Sequence, residues 1–432
     1  VLPYGSGSLR ARWEGPLTVL HARGVRASSD PESLVEHALR RPLGAPALAR
    51  AAAGARTAVV VVSDPTRETA LRELLPPIFR HLREGGLSPD RVSVLVAYGN
   101  HARARDRDLR AMWGRLPRGT RVLHHDSKSP EDLVEVGRLR SGRALRLNRQ
   151  LVEAEFAVIT GGITFHYHAG FTGGRKAILP GLASREDILA NHALTLSPRG
   201  GGDPSSWRQA ACAPGRLEGN PVHEEMDAAA RLFAARAARP PFLVNSVLAE
   251  AGGLAAVFAG DLFLAFARGA RYVASRFRVS LARPFDLVVA SAGGRPRDAS
   301  FYQSHKAFDH ASRATRDGGV VVLAAECPEG PGAGMLEWFA HPTPEEHLSA
   351  LRRRFEVPGG TALALRQKLA RVSGVLVSRM KPGDVRAMGL IPAGSLEEAL
   401  ARARAILGSA PVRACAIPHA GVVLPSVRGG ER

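Results

Sequence analysis

"ARTAVVVVSDPTR", residues 55–67, decides the fold. Four consecutive valines between Ala58 and Ser63 form a short apolar run of β-branched residues. Such a run marks a strand covered on both faces, as in a parallel sheet, rather than one with a wet side. Asp64 and Arg67 follow at its carboxyl end. Outward from it, "ETALRELLPPIFRHLREGG" (68–86) predicts a helix with a Pro-Pro kink and a Gly-Gly stop. "RVSVLVAYGN" (91–100), "RVLHHD" (121–126) and "EFAVITGG" (155–162) predict further strands, and "ARARDRDLRAMWG" the intervening helix. The alternation predicts a mostly parallel α/β sheet flanked by helices.

After a loop-rich stretch at about 195–222, "HEEMDAAARLFAARAA" predicts a helix and "PFLVNSVLAE" a strand. "GDLFLAFARGARYVASRF" predicts a long connecting helix. The pattern restarts near residue 283 with "FDLVVASAGG", "SFYQSHKAFDHASRATRDGG" and "VVVLAAEC". The expectation is therefore two α/β domains. Residues 1–275 form the first, residues 283–408 a smaller second, and the strand-like tail 409–432 returns to the first. No repeat of solenoid period is present.

The chain has 432 residues, 45% of them hydrophobic, enough for two cored domains. No run of eighteen apolar residues suggests a membrane span. Cys212, Cys327 and Cys415 are scattered without metal-type spacing, so a reduced, cytoplasmic protein is expected. A net charge of +19 invites a nucleic-acid reading. Against it, arginines are dispersed and aromatics make up only 6%, with no basic stripe carrying stacking residues. A general preference for arginine explains the charge better, and such a field also favours small anionic substrates.

Polar residues gather where the strands end. Asp64 and Arg67 follow the first, Asn100 and His101 the second, His124, His125 and Asp126 the third, Thr160 to Gly162 the fourth. Ligands of open parallel sheets bind beyond these carboxyl ends. Singly, each motif has a plain reading: Asp-Pro opens turns, and the glycines of "FTGGRK" permit positive φ. Read functionally, those glycines bring backbone close to a phosphate beside Arg175 and Lys176. Neither a Walker loop nor a dinucleotide fingerprint is present. Of the 59 basic residues only five are lysine: 128, 176, 306, 368 and 381. A lysine amine can act as a nucleophile, and a guanidinium does so poorly. His192 lies sixteen residues beyond Lys176 and suits nickel, copper or zinc.

The stretch "ITFHYHAGFTGGRKAILPGLASREDILANH" (163–192) resembles the signature of the lactate racemase family, whose members use a nickel-pincer nucleotide. "SDPTR", "GNH", "GGRPRDASFYQSHKA" (293–307) and "GGVVVLAAECPEGPG" resemble further elements of that family, in order, over about residues 55–425. The resemblance implies a racemase or epimerase of a 2-hydroxy acid. Its cofactor would be nickel pyridinium-3,5-bisthiocarboxylic acid mononucleotide, bound covalently to Lys176 with His192 on nickel. Asp64 and the Thr172-Gly173-Gly174 turn would help place the nucleotide. His101 and His166 would be the acid/base pair, and Arg67, Tyr302, Gln303 and Lys306 would hold the substrate. The site would lie in the cleft between domains. Other proteins must make the cofactor, while nucleic acid and membrane are not expected partners.

The chemistry suits these residue types. Hydride transfer from Cα to the cofactor avoids a carbanion and passes through a 2-keto acid. The two enantiomers present their hydroxyls in opposite directions, which asks for one histidine per hand. The chain departs from the family pattern at "ETA" (68–70) and at "ARARDRDL" (102–109). These loops bear on substrate choice, as would His168, and Arg103 or Arg105 would suit a second carboxylate. Alternatives are a sugar-acid epimerase, an inactive paralogue, a pyridoxal-type enzyme using Lys176, and a phosphate- or nucleic-acid-binding module.

Overall fold

The computed structural model describes residues 1–198, 203 and 206–428. They divide into two compact units. One comprises residues 25–191 and 213–274, the other residues 1–24, 192–212 and 275 onward. Two six-stranded sheets are built from β1 (Leu17–Val19), β2 (Ala58–Ser63), β3 (Val92–Ala97), β4 (Arg121–His124), β5 (Phe156–Gly162), β6 (Phe242–Leu248), β7 (Leu254–Asp261), β8 (Phe285–Ser291), β9 (Thr315–Ala324), β10 (Ser373–Val377), β11 (Ile391–Ala393) and β12 (Ala414–Ile417).

The first unit's sheet has the order β7-β6-β5-β2-β3-β4, parallel except where β7 runs against β6. The valine run sits at its centre. Val60 stands between Val94 and Val158 in register, and all three are fully buried. Each such side chain contributes about 1.5–3 kcal/mol by leaving water. Helix α1 (Leu71–Glu84) covers one face with Leu71, Leu74, Leu75, Ile78 and Leu82, the spacing of a helical stripe. It passes through Pro76 and Pro77 as one element and ends at Gly85. The carboxyl ends of β5, β2, β3 and β4 therefore lie side by side, as the sequence predicts.

The second unit's sheet is wholly parallel, in the order β11-β10-β9-β8-β12-β1. Three expectations of the domain layout need correction. The tail does not return to the first domain: β12 pairs with β8 inside the second sheet. The N-terminus belongs here too, because β1 pairs with β12. Residues 192–212 also join this unit, where Leu196 and Trp207 pack with Leu348, Leu351 and Leu363. Pattern alone misses these assignments because short strands carry no mark of the sheet they enter. It also misses the helix Val357–Leu369, whose start reads "VPGG". A Cβ at Gly359 would lie 2.5 Å from the Trp338 ring, so close packing requires glycine there. Among the described residues no helix is long and apolar enough to cross a membrane.

Deleting residues 409–432 removes an interior strand of the second sheet. Limited proteolysis read by mass spectrometry should then show cleavage throughout 281–408, with β2, β3 and β5 still protected. Protection of both units would contradict this layout.

Candidate active site

Asp64 follows β2 and is almost fully buried. Its Oδ1 accepts from the Thr66 backbone N–H (2.8 Å) and hydroxyl (2.5 Å), and its Oδ2 lies 3.1 Å from His101 Nδ1. Burial pushes the Asp64 carboxyl upward, but the hydrogen bond and charge of His101, the Arg67 guanidinium and Thr66 together hold it well below the usual carboxylate range. An ionised carboxylate accepts only, so His101 carries a proton on Nδ1, and the neutral ring turns Nε2 outward as a lone pair. Arg67 Nη2 stands 3.5 Å from that Nε2. The resemblance implies a nucleotide contact for Asp64. Its Oδ1 is held by Thr66 and its Oδ2 faces His101.

A second cluster follows β5. The Thr172 hydroxyl donates to Gly162 O (2.7 Å) and accepts from Thr164 N–H (2.8 Å), which closes the hairpin Phe165–Phe171 against the strand end. Gly173 has φ 80 and Gly174 φ 52, both left-handed. A Cβ on Gly173 would meet Ile163 at 2.7 Å and Asn245 Oδ1 at 3.1 Å. The glycines thus serve the tight turn itself, and Asn245 secures it by accepting from Gly174 N–H (3.1 Å). The turn delivers Lys176, half-buried, with Nζ 3.4 Å from His166 Nε2. His166 Nδ1 accepts from the backbone N–H groups of His168 (3.2 Å) and Ala169 (3.1 Å). His168 is buried, with its ring centroid 3.8 Å from that of Tyr167.

Behind the turn lies a polar layer that motif reading passes over. Arg175 is 2% exposed, with Nε 2.6 Å from His223 Nδ1, Nη2 donating to Ala169 O and the guanidinium 4.2 Å from the Phe266 ring centroid. Burial lowers its pKa to about 9. His223 falls to about 3, first by burial and then by the Arg175 charge. Helix α2 (Arg185–Ala193) carries His192 near its end, and helix α3 (Pro221–Arg236) carries His223. Asn220 caps α3, accepting from Val222 and His223 N–H, and its Nδ2 donates to His168 O at 2.8 Å. Two sequence signals could have exposed this layer: "NS" inside the apolar run "FLVNSVL", and the Asn-Pro cap of "GNPVHEE".

The remaining site residues are placed separately. His192 is buried and belongs with the second unit, where its carbonyl accepts from the Thr195 hydroxyl at 2.7 Å. Tyr302, Gln303 and Lys306 are half-buried on helix α4 (Phe301–Ala314), with Lys306 Nζ 3.5 Å from Gln303 Oε1. Arg105 pairs with Asp108 on the exposed start of its helix. Arg103 is exposed, and its charge helps to lower the His124 pKa, after burial.

Among the described residues no three His, Cys, Asp or Glu side chains converge on a common point. Around the Lys176 turn, Asn245 Nδ2 and Arg175 Nη1 are buried donors without hydrogen-bond partners. Such donors suit anionic oxygens. A lysine amine, a buried imidazole and donors for anions together fit the group that the resemblance implies.

The fold and these strand-end clusters define a protein of the parallel α/β class with paired histidines at the carboxyl edge of its first sheet. Residues 4–202 match the lactate racemase N-terminal domain and residues 281–424 the lactate racemase C-terminal domain. The chain belongs to the lactate racemase family. It is 32% identical to a lactate racemase of Thermoanaerobacterium thermosaccharolyticum, over 94% of this chain and 95% of that one. It is 31% identical to the lactate racemase of Lactiplantibacillus plantarum, over 79% of this chain and 77% of that one. The solved lactate racemase apoprotein from T. thermosaccharolyticum superposes with a TM-score of 0.86, covering 98% of this chain and 99% of that one. A Thermotoga maritima protein at 17% identity shares the fold, with a TM-score of 0.71 over 93% of this chain and all of that one.

The His223 pKa of about 3 has a consequence for acid stability. An unfolded histidine titrates near 6.5. Between roughly pH 6.5 and 3 the unfolded chain binds the extra proton, so folding weakens as pH falls through that window. His223→Gln should flatten that part of the dependence of the urea midpoint on pH. An unchanged slope would count against a neutral, buried His223.

Proposed function

We propose that the protein racemises or epimerises a small 2-hydroxy acid. The observation that carries this reading is His101 and His166 on loops of the same sheet edge, one backed by a carboxylate, the other beside a lysine amine. Family membership supports the same reaction class, with lactate the first substrate to test.

In this reading Lys176 holds the nickel-pincer nucleotide through Nζ, and His192 ligates its nickel. When bound, that group supplies a reversible acceptor for the hydride of the substrate Cα. The chain's own residues do the rest. Arg67 offers its guanidinium to the substrate carboxylate, beside the base it must serve. Tyr302, Gln303 and Lys306 supply further donors for the carboxylate and hydroxyl. His101 takes the hydroxyl proton at Nε2, and the Asp64 carboxylate stabilises the imidazolium that forms. Asp64 holds the same ring orientation when the proton returns. His166 presents its Nε2 to the substrate oxygen of the opposite hand.

Protein produced together with cofactor-making enzymes should show a nucleotide-plus-nickel mass on Lys176, absent in Lys176→Ala. Enantiopure lactate, malate, phenyllactate and sugar acids, followed by chiral chromatography, then identify the substrate. A chain without adduct that still racemises any of them would sink the cofactor assignment. Replacing His101 by Ala should lower kcat by about 10²–10⁴-fold. Asp64→Asn should lower it by roughly 10–100-fold with His101 still in place. Near-normal kcat in His101→Ala would remove His101 from proton transfer, and in Asp64→Asn it would remove Asp64 from positioning it.

A further inference from the structure

The two histidines of the site are held by opposite kinds of partner. His101 Nδ1 faces a carboxylate oxygen, an acceptor. His166 Nδ1 faces two backbone N–H groups, both donors. A ring nitrogen that accepts two N–H bonds carries no proton, so the neutral His166 ring has its hydrogen on Nε2. Lys176 Nζ, 3.4 Å from that atom, can accept this hydrogen only as a neutral amine, since an ammonium has no lone pair. Moving the proton to Nδ1 would set an N–H against two others.

Asn220 stands behind this arrangement. Its Nδ2 donates to His168 O at 2.8 Å, the carbonyl of the very peptide whose N–H, on Ala169, donates to His166 Nδ1. Hydrogen bonds in such a chain polarise one another, so the Asn220 bond strengthens the donor that faces the ring. Asn220 is fully buried, and its Oδ1 is fixed as the cap of α3, so the side chain cannot turn its donor away without losing the cap.

We propose that Asn220 is a positioning residue that holds His166 as an Nε2–H donor through the His168–Ala169 peptide, while Asp64 holds His101 as an Nε2 base. The two neutral histidines thus begin as opposite tautomers. His101 is ready to accept the hydroxyl proton. His166 is ready to donate a hydrogen bond to a substrate or keto oxygen. This division of labour rests on the racemase reading, but the tautomer itself does not.

Ring nitrogen spectra decide it. Cofactor-free protein labelled with ¹⁵N-histidine gives two- and three-bond correlations that distinguish Nδ1–H, Nε2–H and imidazolium rings, with His166→Gln assigning the signal. Wild-type His166 is expected in the Nε2–H pattern and His101 in the Nδ1–H pattern. His166 as Nδ1–H or as imidazolium near neutral pH overturns the proposal. Asn220→Asp retains the cap, since Asp caps as well as Asn, but presents an anion to His168 O in place of a donor. It is expected to lose the pure Nε2–H pattern while circular dichroism stays that of the wild type. An unchanged His166 pattern in a folded Asn220→Asp protein overturns the role of Asn220. If that variant does not fold, Asn220→Ser, which also caps but cannot bridge to His168, takes its place with the same criteria. Absence of racemase activity in loaded protein whose His166 is Nε2–H would fail the functional reading and leave this inference standing.

Discussion

A strand covered on both faces has no side chain to spare for chemistry. That constraint governs the first unit. Ala58 to Val62 are buried without exception, in register with equally buried β3 and β5. Every functional group the strand contributes must therefore follow its last residue, and Asp64 and Arg67 do. The same holds for His101 after β3 and for the turn after β5. Parallel pairing puts these ends on one edge, so the sheet selects where the polar chemistry gathers before any ligand is considered.

What the edge needs next is precision, and the structure finds it in buried polar groups. Asp64 sets one imidazole, the His168–Ala169 peptide sets the other, and Asn245 and Asn220 set the loops that carry them. Leaving such groups unmatched in a core would cost about 1–3 kcal/mol each. Their placement in "FLVNSVL" and "GNPVHEE" is thus a conflict between local pattern and burial that function explains. A racemase must also give equal kcat/KM from either enantiomer, because its products and substrates are mirror images.

Much of this was legible in the sequence. The β-branched run gave the parallel sheet, and the strand ends gave Asp64, Arg67, His101 and the Thr172–Lys176 turn. The role of Asp64 was not legible, because the spacing of 37 residues to His101 says nothing of which side chain it will touch. The packing around Gly173 and Gly174 was not legible for a similar reason. Glycine in a turn is compatible with an approaching phosphate and with a neighbouring Ile163, and the coordinates show the Ile163 contact. Domain assignment failed where three-residue and four-residue strands decided it. Leu17–Val19 and Ala414–Ile417 are too short to announce a partner, and a tail can dock on any open edge.

That last pairing bears on how the chain is made. Leu17–Val19 lies against Ala414–Ala416, so the second sheet joins two segments far apart in the sequence. The intervening unit, from residue 25 to 274, has all six strands of its own sheet in hand well before the second of them. On the ribosome the strand Leu17–Val19 must wait, unpaired, until Ala414–Ala416 has been made. Its Leu17 and Val19, both still exposed in the finished fold, would be a hazard during that wait. The charged neighbourhood "RARWEG" just before them and "HARGVR" just after supplies the flanking charges that keep such a segment from pairing elsewhere.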